Sequence, residues 1–307
     1  MDIFFQQIIN GLVQGSIYAL VALGYTMVYG IMGLINFAHG EVVMIGTLVA
    51  ITVVGTLVDA GMPVALAGLG GVSASVLVCM ALDWSQERVA YRPLRHAPRL
   101  TPLITAIGMS IVLQNLAMMI WGRNYLTFPS LLPRLHFELG GTHFTFIQVV
   151  IVVVSAATMG GLLLLVYRTR LGMAMRATAQ NPAVASLMGV NINRVIAAAF
   201  VIGSALAALA GIMVGTYYEI AHYQMGFMLG LKAFTAAVLG GIGNMAGAML
   251  GGVLLGSIEA RGAGYIGDLT GGFLGSHYQD IFAFVVLIVV LMFKPSGLFG
   301  EKTGDRA

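Results

Sequence analysis

Apolar runs of about 20 residues follow one another along this chain, and almost all of its arginines are gathered between them. Arg88, Arg92, Arg95 and Arg99 fall within residues 84–99, and Arg168, Arg170, Arg176 and Arg194 within residues 168–194. With Lys294, Lys302 and Arg306 near the end, these segments hold 11 of the 15 basic residues. A bilayer core offers its backbone no hydrogen-bond partners, so apolar runs of this length cross it as helices or in closed barrels. Short basic loops stay on the cytoplasmic side, which makes the arginine clusters a marker of orientation.

The chain is 59% hydrophobic and only 9% charged, far from the roughly 25% charged residues of a soluble domain. The expectation is an all-α, polytopic transmembrane helix bundle forming one membrane domain over residues 1–307. The net charge of +3 reflects topology. No basic patch is interleaved with aromatics, so nucleic acid is not an expected partner. Cys79 is the single cysteine, which excludes an intrachain disulfide and a cysteine metal cluster. The first residues carry no basic n-region, so the first apolar run reads as a retained span.

Candidate spans lie at about 8–30, 37–58, 63–82, 102–121, 145–167, 196–216 and 279–294. Residues 226–260 form another apolar stretch, interrupted by Gly240, Gly241 and Gly243. At 1.5 Å per residue it would measure about 52 Å, short of the roughly 60 Å of two full crossings, so it reads as a short broken hairpin. The total is about eight or nine crossings, some broken or re-entrant. Two spans separate the arginine segments, so both segments fall on one side. Residues 122–143 then lie on the other side with the N-terminus. Small residues recur every fourth position, as in Gly11–Gly15–Ala19, Ala199–Gly203–Ala207–Gly211–Gly215 and Gly243–Gly247–Gly251. These are expected to form seams where helices approach closely.

Three constellations carry the candidate chemistry. In the first, Asn36, His39 and Glu41 interrupt about 50 apolar residues. Such groups mark a pathway or a partner, or else a turn between spans with Asn36 as helix cap. The parity count favours the turn. The second is the broken hairpin, with Lys232, Gly240, Gly241, Gly243 and Asn244. Discontinuous helices turn backbone groups toward a cavity. Lys232 either snorkels to an interface or lines the path and pairs with an acid. The third is the long loop from Arg176 through Asn181, Pro182, Ala183, Ala185, Gly189 and Asn191. Asn181 as cap and Pro182 in the first turn predict a short surface helix over 183–188, closed by Gly189. That helix either docks a soluble partner or lies on lipid headgroups. The glycines and lysine at 297–303 lack a phosphate-loop context, the histidines are scattered without close ligand spacing, and no catalytic, metal or cofactor site is expected.

The runs Gly24–Gly30, Ile35–Glu41, Glu87–Pro93, Ile107–Ser110, Met188–Asn191 and Lys232–Gly243 resemble the H-type permease of bacterial branched-chain amino acid ABC importers. The resemblance covers essentially the whole chain in order. It implies a non-catalytic permease subunit, without cofactor, in the bacterial inner membrane. Its implied partners are a homologous second permease, two cytoplasmic ATP-binding subunits and a periplasmic amino-acid-binding protein. It implies that residues 84–99, 168–194 and the C-terminus are cytoplasmic and that the loop around Ala183 and Gly189 couples to the ATPase, although the usual glutamate of that loop is absent. A permease for urea or short amides would share these motifs. An ion-driven secondary transporter is an alternative of a different class.

Overall fold

The computed structural model describes residues 2–269 and 278–300, apart from residues 96, 99, 132, 134, 140 and 295. Arg99, Lys302 and Arg306 therefore lie outside the described residues. Eleven α-helices appear among those described: α1 (Asp2–Met32), α2 (His39–Asp59), α3 (Val64–Gln86), α4 (Leu100–Trp121), α5 (Phe146–Arg168), α6 (Arg170–Gln180), α7 (Pro182–Leu187), α8 (Ile192–Tyr218), α9 (Met225–Gly240), α10 (Met245–Leu269) and α11 (Gln279–Phe293). Six segments are long and apolar enough to cross a membrane: Phe4–Met32, His39–Asp59, Val64–Leu94, Leu100–Trp121, Phe146–Arg168 and Ile192–Tyr218. Helices α9 and α11 are shorter and apolar. Two small antiparallel pairs complete the structure, β1 (Leu126–Thr127) with β4 (Ile220–Ala221) and β2 (His136–Leu139) with β3 (Thr142–Thr145).

The two arginine segments share one end of the bundle, as the parity of the spans requires. Arg95 pairs with Glu87 and donates a hydrogen bond to Asn193 across the gap between them. At the opposite end, β1 joins β4, and the backbone N–H of His143 donates to Gln6 near the N-terminus. The segment at 84–99 is more helical than expected, because α3 runs on through a π-turn (Glu87–Tyr91) and a 3-10 turn (Arg92–Leu94). The long second arginine segment contains α6 as well as the short helix that its cap residues announce.

Helix α1 is the axis of the molecule, and its most extensive neighbour is α10. Their backbones meet in an antiparallel seam. A methyl group on Gly15 would lie 2.7 Å from Val253 Cα, and one on Gly11 would lie 2.7 Å from Ser257 Cα. Gly203 packs on Gly24 of α1, while Gly211 and Gly215 pack on Val43 and Thr47 of α2. The small-residue stripes are therefore packing seams. Gly243 is the exception, since it sits in the turn between α9 and α10 with φ 96°.

The expected short hairpin needs correction. Its second arm does not stop near residue 260, because α10 continues to Leu269. Glu259, near the expected end of that arm, is buried inside the bundle. The α9–α10 turn lies at the arginine end and is held by the C-terminal segment. Leu298 and Phe299 donate their N–H groups to the Leu239 and Gly240 carbonyls (2.8 and 3.1 Å), and Asn244 Nδ2 donates to the Phe299 carbonyl (2.9 Å).

Candidate functional site

After α1 the chain folds back into the bundle. Gly33, at φ 65°, makes the turn, and residues 34–36 return as irregular backbone. The His39 ring reaches Gly24 and Gly203, about 12 Å inside the end of α1 and about 16 Å inside the start of α8 at 1.5 Å per residue. Asn36, His39 and Glu41 are all buried, so the turn that links α1 to α2 lies inside the bundle and not at its surface. Irregular backbone is tolerated at such depth when protein surrounds it. Asn36 does not cap α2: its Oδ1 accepts from Ala38 N (3.1 Å) and from the Tyr91 hydroxyl (2.6 Å), and the cap position is Ala38. His39 packs edge-on against Tyr25, with ring centroids 4.9 Å apart.

Helices α2 and α9 begin beside each other deep in the bundle and run toward opposite ends. Gly40 in the first turn of α2 meets Gly226 and Gly230 of α9, where any larger residue would collide with backbone. Glu41 lies at this junction. Its Oε1 accepts from Ser110 Oγ of α4 (3.1 Å), and its Oε2 lies against Gly226. A carboxylate near two helix N-termini is favoured by their partial positive charges.

Lys232 is only 8% exposed, and the snorkelling alternative is overturned. Its ammonium pairs with Glu259 Oε1 of α10 (2.7 Å) and Asp280 Oδ1 of α11 (2.6 Å). Tyr18 of α1 donates to Glu259 Oε2 (2.6 Å) and lies 3.4 Å from Lys232 Nζ. Burying a lysine in an apolar bundle is costly unless its charge is paired, and two carboxylates supply the pairing. Beside this cluster a cavity of about 220 Å³ opens among α1, α8 and α9, lined by Gln14, Ile17, Tyr18, Tyr218, Leu229 and Lys232, among others.

At the arginine end a second cavity, of about 770 Å³, is lined by Thr26, Tyr29, Gly30, Arg176, Gly243 and Asn244, among others. Both cavities follow α1 and α9. Between them Phe234 contacts Tyr25 and Phe37, with ring centroids 6.4 and 5.8 Å apart. The sequence candidates thus divide into three groups. Glu41 sits at the α2–α9 junction, with Asn36 and His39 just before it against Tyr91 and against Gly24 and Gly203; Lys232 lies beside the far cavity, and Gly243 and Asn244 at the mouth of the arginine-end cavity. Gly240 and Gly241 form the turn nearby, against Gly247 and Gly300 respectively. Arg176, expected to belong only with the coupling loop, shares the cavity of Gly243 and Asn244 and lies over the Tyr167 ring at 5.2 Å.

The remaining coupling candidates form a platform at the arginine end. Asn181 Oδ1 accepts from Val184 N (3.1 Å), with Pro182 in the first turn of α7. Gly189, at φ 85°, closes the helix, and Asn191 Oδ1 accepts from Arg194 N (3.1 Å) to cap α8. Ala185 is buried and Ala183 exposed. Leu187 and Met188 are 86% and 80% exposed. Replacing Asn181 with Ala should weaken α7 by about 1 kcal/mol, which faster limited proteolysis between residues 181 and 189 would report. An unchanged cleavage rate would mean that the cap does not hold the platform.

A family model described as branched-chain amino acid transport system / permease component matches residues 7–291. The chain belongs to this family. It is 49% identical to the high-affinity branched-chain amino acid transport system permease protein BraD of Pseudomonas aeruginosa, over 99% of this chain and 98% of that protein. It is 45% identical to the corresponding protein LivH of Escherichia coli, over 99% and 97% of the two chains. A more distant relative, the probable branched-chain amino acid transport permease protein LivH of Methanocaldococcus jannaschii, is 25% identical over 97% and 94%. The permease is thus a non-catalytic membrane component of an ABC transport system, which implies other subunits.

Sequence reasoning missed several residues of this permease's interior. Glu259 and Asp280 were not linked to Lys232, from which they stand 27 and 48 positions away along the chain. A lysine and a glutamate inside one apolar stretch, 226–260, and an aspartate at the start of another, 279–294, were the available signal. Asp83 is fully buried, and neither of its oxygens is hydrogen-bonded to another described residue. Tyr25 and Phe234 look like ordinary apolar positions, and only packing sets them between the cavities.

Proposed function

We propose that this permease forms half of the translocation pathway of an ATP-driven importer of leucine, isoleucine and valine in a bacterial inner membrane. Identity of 49% to a branched-chain amino acid permease along nearly the whole chain carries the reading. The other half is a homologous permease. Two cytoplasmic ATP-binding subunits supply the energy, and a periplasmic binding protein delivers the amino acid. The arginine end faces the cytoplasm, because translocating eight clustered arginines is unfavourable, and the 220 Å³ cavity then opens from the periplasmic half.

Residues 1–307 act as one transmembrane domain. ATP binding moves the α6–α7 platform. The bundle shifts between two states by differential affinity for the closed ATPase pair. Because α6 carries Arg176 into the cavity that holds Gly243 and Asn244, a displacement of the platform reaches the pathway directly. The Tyr25–Phe37–Phe234 contact is the barrier that has to open. Glycine contacts at Gly40, Gly226 and Gly230 let α2 and α9 shift without large side chains interlocking.

The test is leucine uptake by the complete purified complex in proteoliposomes. Uptake that requires ATP and the binding protein supports the reading, and uptake by the permease alone under an ion gradient would end it. Glu41→Gln keeps the shape and removes the charge at the α2–α9 junction. Uptake is expected to fall about tenfold, equivalent to about 1.4 kcal/mol, at unchanged protein level. Unaltered uptake would remove Glu41 from the pathway. Leu187→Asp puts a charge on the apolar knob of α7. The ATP-binding subunits should then fail to co-purify with an otherwise normal membrane pair, and normal recovery of the full complex would deny α7 the docking role.

A further inference from the structure

We infer that Lys232, which lines the 220 Å³ cavity, and its ion-pair partner Asp280 are the recognition site for the substrate's zwitterionic head, with the aliphatic side chain held in the cavity. The inference rests on the importer reading above and names where in this chain the amino acid is received. Lys232 Nζ has three partners, Glu259, Asp280 and the Tyr18 hydroxyl, and they differ in how firmly they are held. Glu259 is 1% exposed and is fixed by the Tyr18 hydroxyl at 2.6 Å. The Asp280 side chain is 36% exposed and stands in the first turn of α11. Of the two carboxylates, Asp280 is the one that can part from the lysine at small desolvation cost.

One cation faces two carboxylates here, and a ligand that parts Lys232 from Asp280 has to give each of them a new partner. A zwitterion inserted into the Lys232–Asp280 contact places its carboxylate on Lys232 and its ammonium on Asp280. Every charge keeps a partner, and Glu259 goes on orienting the lysine. A simple carboxylate would strand Asp280, and a simple amine would pair with Asp280 but bring no carboxylate to replace it on Lys232. The Tyr218 hydroxyl accepts from Gln14 (3.2 Å) and has its own proton to donate to the incoming carboxylate. Ile17, Val214, Met228 and Leu229 line the cavity and suit a branched aliphatic side chain. Its volume of about 220 Å³ gives room for a small aliphatic side chain.

The obvious variant, Lys232→Met, strands two carboxylates and is liable to fail at folding, so Asp280→Asn and a labelling measurement carry the test. The complete importer in lipid nanodiscs is irradiated with L-leucine bearing a diazirine in its side chain, and adducts are mapped by mass spectrometry. Adducts are expected in residues 14–18 and 225–232. Excess leucine should suppress them at least about tenfold better than 4-methyl-2-oxopentanoate, which lacks the ammonium. Asp280→Asn should lower both the labelling and ATP-dependent leucine uptake about tenfold, while Asp280→Glu restores them. Adducts confined to other segments, equal competition by the oxo acid, or unchanged labelling in Asp280→Asn would overturn the site while wild-type uptake left the importer reading standing. A wild-type complex without ATP-dependent leucine uptake would overturn that reading and the site with it.

Discussion

Lys232→Met is expected to be among the most damaging single substitutions in this protein. The lysine is the cation that both carboxylates share, and Glu259 is 1% exposed. Removing one member of a buried ion pair typically costs about 3–5 kcal/mol, because the remaining charge is buried without compensation. A large drop in thermal unfolding temperature, or no accumulation in the membrane, is the expected result for detergent-purified protein. Adding Glu259→Gln removes the stranded charge and should recover much of the loss. If the single variant were as stable as wild type, the ion pairs would not hold α9, α10 and α11 together. Recovery of folding in the double variant is not expected to recover transport.

The second large effect is expected at the α1–α10 seam. Gly15→Val sets branched carbons where the nearest atoms, Val253 Cα and the Gly252 carbonyl oxygen, are 2.7 and 3.0 Å from even a first methyl. These are backbone atoms and cannot rotate away. Overpacking of well-packed interiors costs about 1–3 kcal/mol and sometimes more, and here the two most extensively packed helices must separate. The variant should be degraded or inactive, measured as protein level in isolated membranes. Gly160→Val on α5, where nothing lies within 4 Å, is the matched control and should accumulate normally. Equal accumulation of both variants would show that the seam can open without penalty.

Particular residues show why the sequence was legible in some places and closed in others. Asn181, Pro182 and Gly189 were readable because capping and helix termination depend on neighbours a few positions away. The glycine stripes were readable because a four-residue repeat defines a helix face whatever it packs against. Glu41 was visible as an anomaly, but its meaning was not. The same residues serve as a turn between spans or as a buried junction, and local pattern does not distinguish them. Lys232 was undecided for the same reason, since snorkelling and ion pairing need the same side chain in the same kind of helix.

Hydropathy and arginine placement determined on their own that this chain is a helical membrane bundle with both basic segments at one end. Those properties arise from single residues meeting lipid or water, with no reference to the rest of the molecule. Tertiary structure decided that the chain dips back after Gly33, that α2 and α9 start side by side, and that one lysine finds two acids from other helices. Each of these depends on which helices become neighbours. In a membrane, where lipid is as apolar as the side chains, that choice falls to close backbone packing and buried polar pairing between residues far apart along the chain.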